Sequence, residues 1–193
     1  YEVKDGVAIL TVDNPPVNPL SDGVRAGLVD NIKKAEDDSD IIGVVLTGAG
    51  RSFIAGADIS EFGKSPDGPG LDEAFKSLEF CSKPVVAAIN GSALGGGLET
   101  ALVCNYRIAG PAAFVGLPEV NLGLLPGAGG TQRLPRLVGP AEALKMMLTG
   151  MHVNAKKALD MGIIDEISDD LINDSVNFVK KVSSESGDHP KVR

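Results

Sequence analysis

The sequence feature that most constrains the fold is a triple glycine, Gly95-Gly96-Gly97, placed between two apolar segments. Residues 85–89 are a β-type run of valine, alanine and isoleucine, and residues 98–103 are compatible with a helix. A strand, a glycine turn and a helix start direct free backbone N–H groups at one point, and glycine lets a ligand approach without a Cβ in the way. Because Glu99 lies in the first helical turn, the stretch predicts an anion site with a carboxyl group beside it, which is typical of a reaction site.

Length and charge narrow the class of protein. The chain has 193 residues, enough for one domain with a sizeable core, and a formal net charge of −8. Basic residues form no cluster longer than a pair, which argues against a nucleic-acid partner. No apolar run reaches about 18 residues, so we expect no membrane span. No signal or transit segment is visible, although a chain that starts at Tyr1 can have been trimmed.

The two cysteines predict neither a metal site nor a disulfide. Cys81 and Cys104 have no CxxC or Cys/His spacing, so we interpret them as reduced core residues. His152 and His189 likewise lack partners at metal or triad spacing. The sequence therefore predicts no metal ligands and no covalent nucleophile.

Strands alternate with helices along the chain, which predicts an α/β domain with a largely parallel sheet. Asp5-Gly6 is a hairpin signal, and Ser21 or Asp22 is expected to cap the first helix. Residues 41–47 are expected to form a buried strand, and residues 117–130 a long ordered loop. Later helices are expected to begin at Pro140, at Asn154 and near residue 170. We expect residues 1–182 to form the catalytic core and residues 183–193 a flexible polar tail.

Two glutamates follow unusual backbone features: Glu99 follows the triple glycine, and Glu119 follows Pro118 at the start of the long loop. Over one cleft they would form an acid/base pair for moving protons on and off carbon or water. Spacing alone leaves open that both are ordinary surface residues. A nucleotide-binding or redox domain is disfavoured, because the glycines match neither GxGxxG nor GxxxxGK[ST]. A non-catalytic interaction protein on the same fold is a further alternative, which the acidic balance disfavours.

Three segments resemble one family in order and spacing: residues 52–58 (SFIAGAD), residues 90–99 (NGSALGGGLE) and residues 117–134 (LPEVNLGLLPGAGGTQRL). Together they are similar to the enoyl-CoA hydratase/isomerase (crotonase) family, and the similarity extends from the first hairpin to about Ile167. The resemblance implies a crotonase-like spiral of ββα units with a short or truncated C-terminal helical region. A short stretch between Asp58 and Lys83 and the early end make it most similar to the N-terminal hydratase/isomerase domain of bifunctional β-oxidation enzymes.

The resemblance implies a mechanism. The family adds water reversibly, in syn geometry, to a trans-2-enoyl-CoA to give a 3-hydroxyacyl-CoA through a thioester enolate. The backbone N–H groups of Ala55 and Gly96 would form the oxyanion hole, Glu99 would orient and activate water for attack at C3, and Glu119 would deliver the proton to C2. The alternative within the family is a Δ3,Δ2-enoyl-CoA isomerase, in which Glu119 alone would move a proton between C2 and C4.

The resemblance also implies a binding surface and partners. The substrate is an acyl-CoA thioester, no separate cofactor is expected, and Arg51 and Lys64 are candidates to meet the CoA phosphates, although solvated roles are more ordinary. Arg133 and Arg136 are expected to form structural ion pairs. The protein is expected to be a homotrimer or part of a larger multifunctional β-oxidation chain, cytoplasmic if bacterial and otherwise peroxisomal or mitochondrial. The residues that the resemblance places against substrate or CoA are Ala55, Gly56, Ala57, Asp58, Ile59, Gly95, Leu117, Pro118 and Gly127.

Overall fold

The computed structural model describes residues 1–61, 63, 67–185 and 187–192. These ranges contain ten strands: β1 (Glu2–Lys4), β2 (Val7–Val12), β3 (Gly43–Gly48), β4 (Ser52–Ile54), β5 (Val85–Ile89), β6 (Ser92–Leu94), β7 (Tyr106–Ala109), β8 (Phe114–Gly116), β9 (His152–Asn154) and β10 (Glu166–Ile167). They also contain seven α-helices: α1 (Asp22–Asp37), α2 (Leu71–Glu79), α3 (Gly96–Val103), α4 (Gly130–Val138), α5 (Pro140–Thr149), α6 (Ala155–Asp160) and α7 (Leu171–Ser183).

The strands form two sheets. The larger sheet has the order β1-β2-β3-β5-β7-β10, and the smaller has the order β4-β6-β8-β9. Among the strand pairs in the described ranges, only β1–β2 and β8–β9 are antiparallel. The predicted α/β class with largely parallel pairing is therefore confirmed.

The core lies on both faces of the larger sheet, as a parallel sheet requires. Val45 and Val86 point to one face, where they pack with Val176 and Val179 of α7. The other face packs against the remaining helices and the smaller sheet in one continuous apolar cluster. Every residue of β3 and β5 is buried, which explains why these strands read as continuous apolar runs rather than as alternating ones.

Local signals placed several elements correctly. Asp5 and Gly6 both have positive φ, 51° and 77°, as the hairpin between β1 and β2 requires. The Ser21 hydroxyl accepts a hydrogen bond from Val24 N and caps α1. The Asn154 side chain accepts one from Lys157 N at 2.9 Å and caps α6.

Other elements differ from the prediction. Helix α4 was not expected, because it begins at a glycine and contains Pro135, and both residues normally argue against a helix interior. The strand expected over residues 41–47 runs from Gly43 to Gly48. The 117–130 segment contains a 3-10 turn, Glu119–Leu122. Nowhere in the described ranges is a helix both long and apolar enough to cross a membrane.

The segment after α7 contacts the body of the domain. Asn105 Nδ2 donates to Pro190 O at 3.1 Å, and Tyr106 Oη lies 3.4 Å from His189 Nδ1. The expectation of a flexible tail over residues 183–193, like the domain boundary at 182, stays a prediction.

Candidate active site

The triple glycine sets the position of α3. Gly95 adopts φ 53° and ψ −124°, a conformation that a residue with a side chain rarely takes. Gly97 lies so close to β4 that a Cβ on it would come 1.8 Å from Ile54 O. The start of α3 is therefore packed directly against β4, and its unpaired N–H groups face the turn that follows that strand.

One predicted oxyanion donor is wrong. The Ala55 N–H donates to Val17 O at 3.2 Å, so it is already used within the fold. The N–H that lies beside the start of α3 belongs to Ala57, whose nitrogen is 3.3 Å from the position that a Cβ on Gly96 would take. In the described part of the chain, neither the Ala57 N–H nor the Gly96 N–H donates a hydrogen bond. The unused N–H groups beside the start of α3 therefore belong to Ala57 and Gly96.

A cleft of about 260 Å³ opens in front of these groups. Both glutamates line it, although 20 residues separate them in the sequence, and its remaining wall is largely apolar. The predicted site residues that line it are Ala55, Gly56, Ala57, Ile59, Gly95, Gly96, Glu99, Pro118, Glu119 and Gly127.

Two residues assigned to the binding surface do not line this cleft. Leu117 is fully buried in the core, so its assignment is wrong. Asp58 accepts a hydrogen bond from Ser60 N at 3.0 Å through Oδ1 and thereby caps the short 3-10 turn that follows. Arg51 is exposed, and Lys64 lies outside the described residues.

Sequence reasoning missed part of the apolar wall. It is formed by Leu71 at the start of α2 and by three leucines of the long loop, Leu122, Leu124 and Leu125. Leu125 is 76% exposed, which is unusual for a leucine in an ordered segment. The available signal was the apolar content of a loop that would otherwise be polar.

Glu99 is held by the backbone of the 128–130 turn. The residue is 3% exposed, and Oε1 accepts hydrogen bonds from Ala128 N and Gly130 N, both at 2.8 Å. Burial raises the pKa of the carboxyl group, and the two N–H groups and the charge of Arg133 oppose that rise. The N–H groups thus favour the ionised form of Glu99.

Glu119 lies in a different environment. It begins the 3-10 turn directly after Pro118, is half-buried, and has a buried Oε2 with no hydrogen-bond partner among the described residues. Burial raises the pKa of Glu119 to about 7, and the nearby charge of Glu99 adds to the rise. Two carboxyl groups with such different surroundings are suited to separate acid and base roles.

A comparison with known families shows which family this chain belongs to. The model of the family described as enoyl-CoA hydratase/isomerase matches residues 2–192. The chain belongs to this family. The recognition made from the three motifs is therefore confirmed over nearly the whole chain.

Relatives of this family member include eukaryotic and bacterial proteins. It is 51% identical over 170 residues to a peroxisomal bifunctional enzyme of Danio rerio, with 88% of this chain and 24% of that protein covered. It is 44% identical over 169 residues to a probable enoyl-CoA hydratase of Bacillus subtilis, and this match covers 84% of this chain and 66% of that protein. The chain thus spans about a quarter of the length of the peroxisomal relative.

Solved structures confirm the crotonase-like fold. An enoyl-CoA hydratase from Bacillus anthracis, solved by crystallography, matches with a TM-score of 0.87 and 32% identity. The match covers 96% of this chain and 76% of that one.

Proposed function

We propose that the cleft catalyses the reversible hydration of a trans-2-enoyl-CoA to a 3-hydroxyacyl-CoA. The observation that carries this proposal is the pairing of Glu99 and Glu119 on one cleft in different surroundings: two backbone N–H groups hold Glu99, whereas Oε2 of Glu119 is buried without a hydrogen-bond partner among the described residues. Addition of water across a conjugated double bond needs both a base for water and an acid for carbon. The two glutamates provide both.

The thioester oxygen would bind between the backbone N–H groups of Gly96 and Ala57. As the enolate forms, negative charge develops on this oxygen, and preorganised donors stabilise it by roughly 3 kcal/mol each. The start of α3 adds the favourable end of its dipole to the same point.

Proton transfer would then be divided between the carboxyl groups. The Glu99 carboxylate accepts a proton from water while the water oxygen forms a bond to C3, and the electron pair of the double bond moves to the thioester oxygen. When the enolate collapses, protonated Glu119 gives its proton to C2. The product is the 3-hydroxyacyl-CoA, and the protons exchange with solvent before the next turnover. Addition from one side of the double bond gives the syn outcome.

The remaining wall would take the rest of the substrate. Small residues of the 55–57 turn leave room for the pantetheine chain, and the leucines from the long loop are suited to an acyl chain. The proposal needs no metal or separate cofactor, since backbone donors and two carboxyl groups supply the chemistry. We further infer a β-oxidation setting within a larger multifunctional chain, since the Danio rerio relative is a peroxisomal bifunctional enzyme. The alternative setting is a homotrimer, as expected from the resemblance.

Isomerisation of a 3-enoyl-CoA is the second candidate. It is favoured by one observation, the unpartnered Oε2 of Glu119, which is free to remove a proton at one carbon and return it at another. This reaction needs Glu119 and the two N–H donors but does not need Glu99. The presence of Glu99, held by two N–H groups, is what favours hydration.

The test is hydration of crotonyl-CoA by the wild-type chain and by the Glu99→Gln and Glu119→Gln variants, followed at the absorbance of the conjugated thioester. Each substitution keeps the shape of the side chain and removes its acid/base function. We expect kcat to fall by about a hundredfold or more in both, because each general acid or base contributes on that order. Isomerase activity should survive better in Glu99→Gln, and wild-type rates of hydration in both variants would refute the assignment.

A further inference from the structure

A buried ion pair joins α2 to α4 behind the cleft. Arg133 Nη2 donates to Glu79 Oε2 at 3.0 Å, and the two side chains are 17% and 10% exposed. Arg133 Nε is buried without a hydrogen-bond partner in the described ranges. A buried ion pair in which one donor is unused adds little to stability. We therefore expect this pair to have an effect other than holding α2 and α4 together.

The geometry connects this pair to Glu99 through one residue of the turn. Ala128 donates its N–H to Glu99 Oε1 at 2.8 Å, and its carbonyl oxygen accepts from Arg133 Nη1 at 3.4 Å. Gly129 has φ +103°, and a Cβ on it would lie 2.1 Å from Arg133 Nη1. The guanidinium group therefore fills the space against the turn whose N–H groups hold the carboxylate.

Few charges face Glu99. Helices α2 and α4 and strands β4, β6 and β7 pack against α3, and β4 and β6 carry no titratable side chain. Arg133 faces the carboxyl group from α4, Glu79 stands behind Arg133 on α2, and Glu119 faces it from the long loop. The other titratable side chains of the neighbouring elements are exposed or contact other groups: Asp72, Glu73, Lys76, Arg136, Tyr106 and Arg107.

We propose that Arg133, anchored by Glu79, is a positioning residue for Glu99: it holds the 128–130 turn so that two N–H groups reach the carboxylate. Arg133 does not line the cleft, so it acts through Glu99 and the turn rather than on the substrate. The kinetic consequence rests on the proposed hydratase function, whereas the effect on Glu99 does not.

The direct test is a titration of the Glu99 carboxyl group by ¹³C NMR on protein labelled at glutamate Cδ, with the signal assigned from the Glu99→Gln variant. In Arg133→Met, loss of the cation should raise the pKa of Glu99, since the charge and the bonded turn both favour the ionised form. In Glu79→Gln the amide oxygen can still accept the hydrogen bond from Arg133 Nη2, so the guanidinium group stays in place while its countercharge is lost, and the pKa of Glu99 should fall. Arg133→Lys keeps the positive charge but lacks the planar guanidinium group, so the pKa of Glu99 in this variant should lie between the values in the wild type and in Arg133→Met.

Kinetics provide the second readout. In Arg133→Met, kcat for hydration should fall by on the order of tenfold to a hundredfold, because a misplaced base loses its geometry. KM should stay within about twofold, since Arg133 does not line the binding cleft, and the acid limb of the kcat profile should move to higher pH. Arg136→Met, an exposed arginine on the same helix, is the matched control and should behave as wild type.

The outcomes are distinguishable. If Arg133→Met does not fold, Arg133→Lys and Glu79→Gln carry the test, because they are predicted to shift the Glu99 titration in opposite directions. An unchanged Glu99 titration in folded variants overturns the positioning role. A wild-type chain without hydratase activity refutes the proposed function instead and leaves the NMR test valid.

Discussion

Glu119 should destabilise the folded protein at neutral and alkaline pH, because the fold raises the pKa of its carboxyl group from the ordinary value of 4.5 to about 7. Between these values the folded state binds a proton that the unfolded state has lost, so the free energy of unfolding falls as pH rises through this window. At about 1.4 kcal/mol per pKa unit, a difference of roughly 2.5 units corresponds to at most about 3.4 kcal/mol. Partial exposure and solvent screening reduce this to about 1.5 kcal/mol.

The substitution that tests this reasoning is Glu119→Gln, which removes the titration and keeps the shape. Any cost of the new amide group is the same at every pH, so the informative quantity is the change in the free energy of unfolding between about pH 5 and about pH 8. That change should be about 1.5 kcal/mol less negative in the variant than in the wild type.

Urea denaturation followed by far-UV circular dichroism is the suitable measurement, since the chain has no tryptophan. Glu142→Gln replaces an exposed glutamate at the start of α5 and serves as the control. A Glu119→Gln variant whose stability changes with pH as steeply as that of the wild type would refute the reasoning.

Two further predictions concern the scaffold. Gly97→Ala should lower the free energy of unfolding, measured by urea denaturation, by about 3 kcal/mol or more, because its Cβ would lie 1.8 Å from Ile54 O. Gly27→Ala, at a helix position with nothing within 4 Å of a Cβ, should raise it by about 0.5–1 kcal/mol. Equal effects at both positions would contradict the close-packing argument. Arg25→Met should lower the free energy of unfolding by about 3 kcal/mol, because the buried guanidinium group pairs with Glu61 at 2.9 Å and the substitution would leave this carboxylate without its cation. A fall in the thermal unfolding midpoint of less than a degree or two would contradict this prediction.

Much of the site could be predicted because its residues obey local rules. A glycine run before a helix is recognisable as a place where backbone N–H groups are free, and the acid in the first turn marks it as chemical rather than structural. Glu119 was found for a similar reason, since it follows a proline at the start of a long apolar loop. That Glu99 and Glu119 lie on one cleft could be predicted only from the resemblance to a family, because a separation of 20 residues in the sequence does not define a distance in space.

The errors came from facts that only the tertiary structure contains. The Val17 carbonyl group, which comes from a distant loop, accepts a hydrogen bond from the Ala55 N–H. This contact determines which N–H group of the 55–57 turn is left free. Helix α4 contradicts its local propensity, because the packing of Leu134 in the core offsets the cost of Pro135 and of its glycine start. The half-buried setting of Glu119, which determines its protonation, likewise comes from packing.

The measurement that tests the central claim most directly is exchange of the C2 proton of butyryl-CoA with deuterium from D₂O, followed by NMR. This saturated thioester cannot be hydrated, so exchange reports only enolate formation and the proton carried by Glu119. We predict exchange by the wild type and by Glu99→Gln, which has lost hydration, and none by Glu119→Gln. Exchange that survives in Glu119→Gln and disappears in Glu99→Gln would contradict the division of roles between the two glutamates.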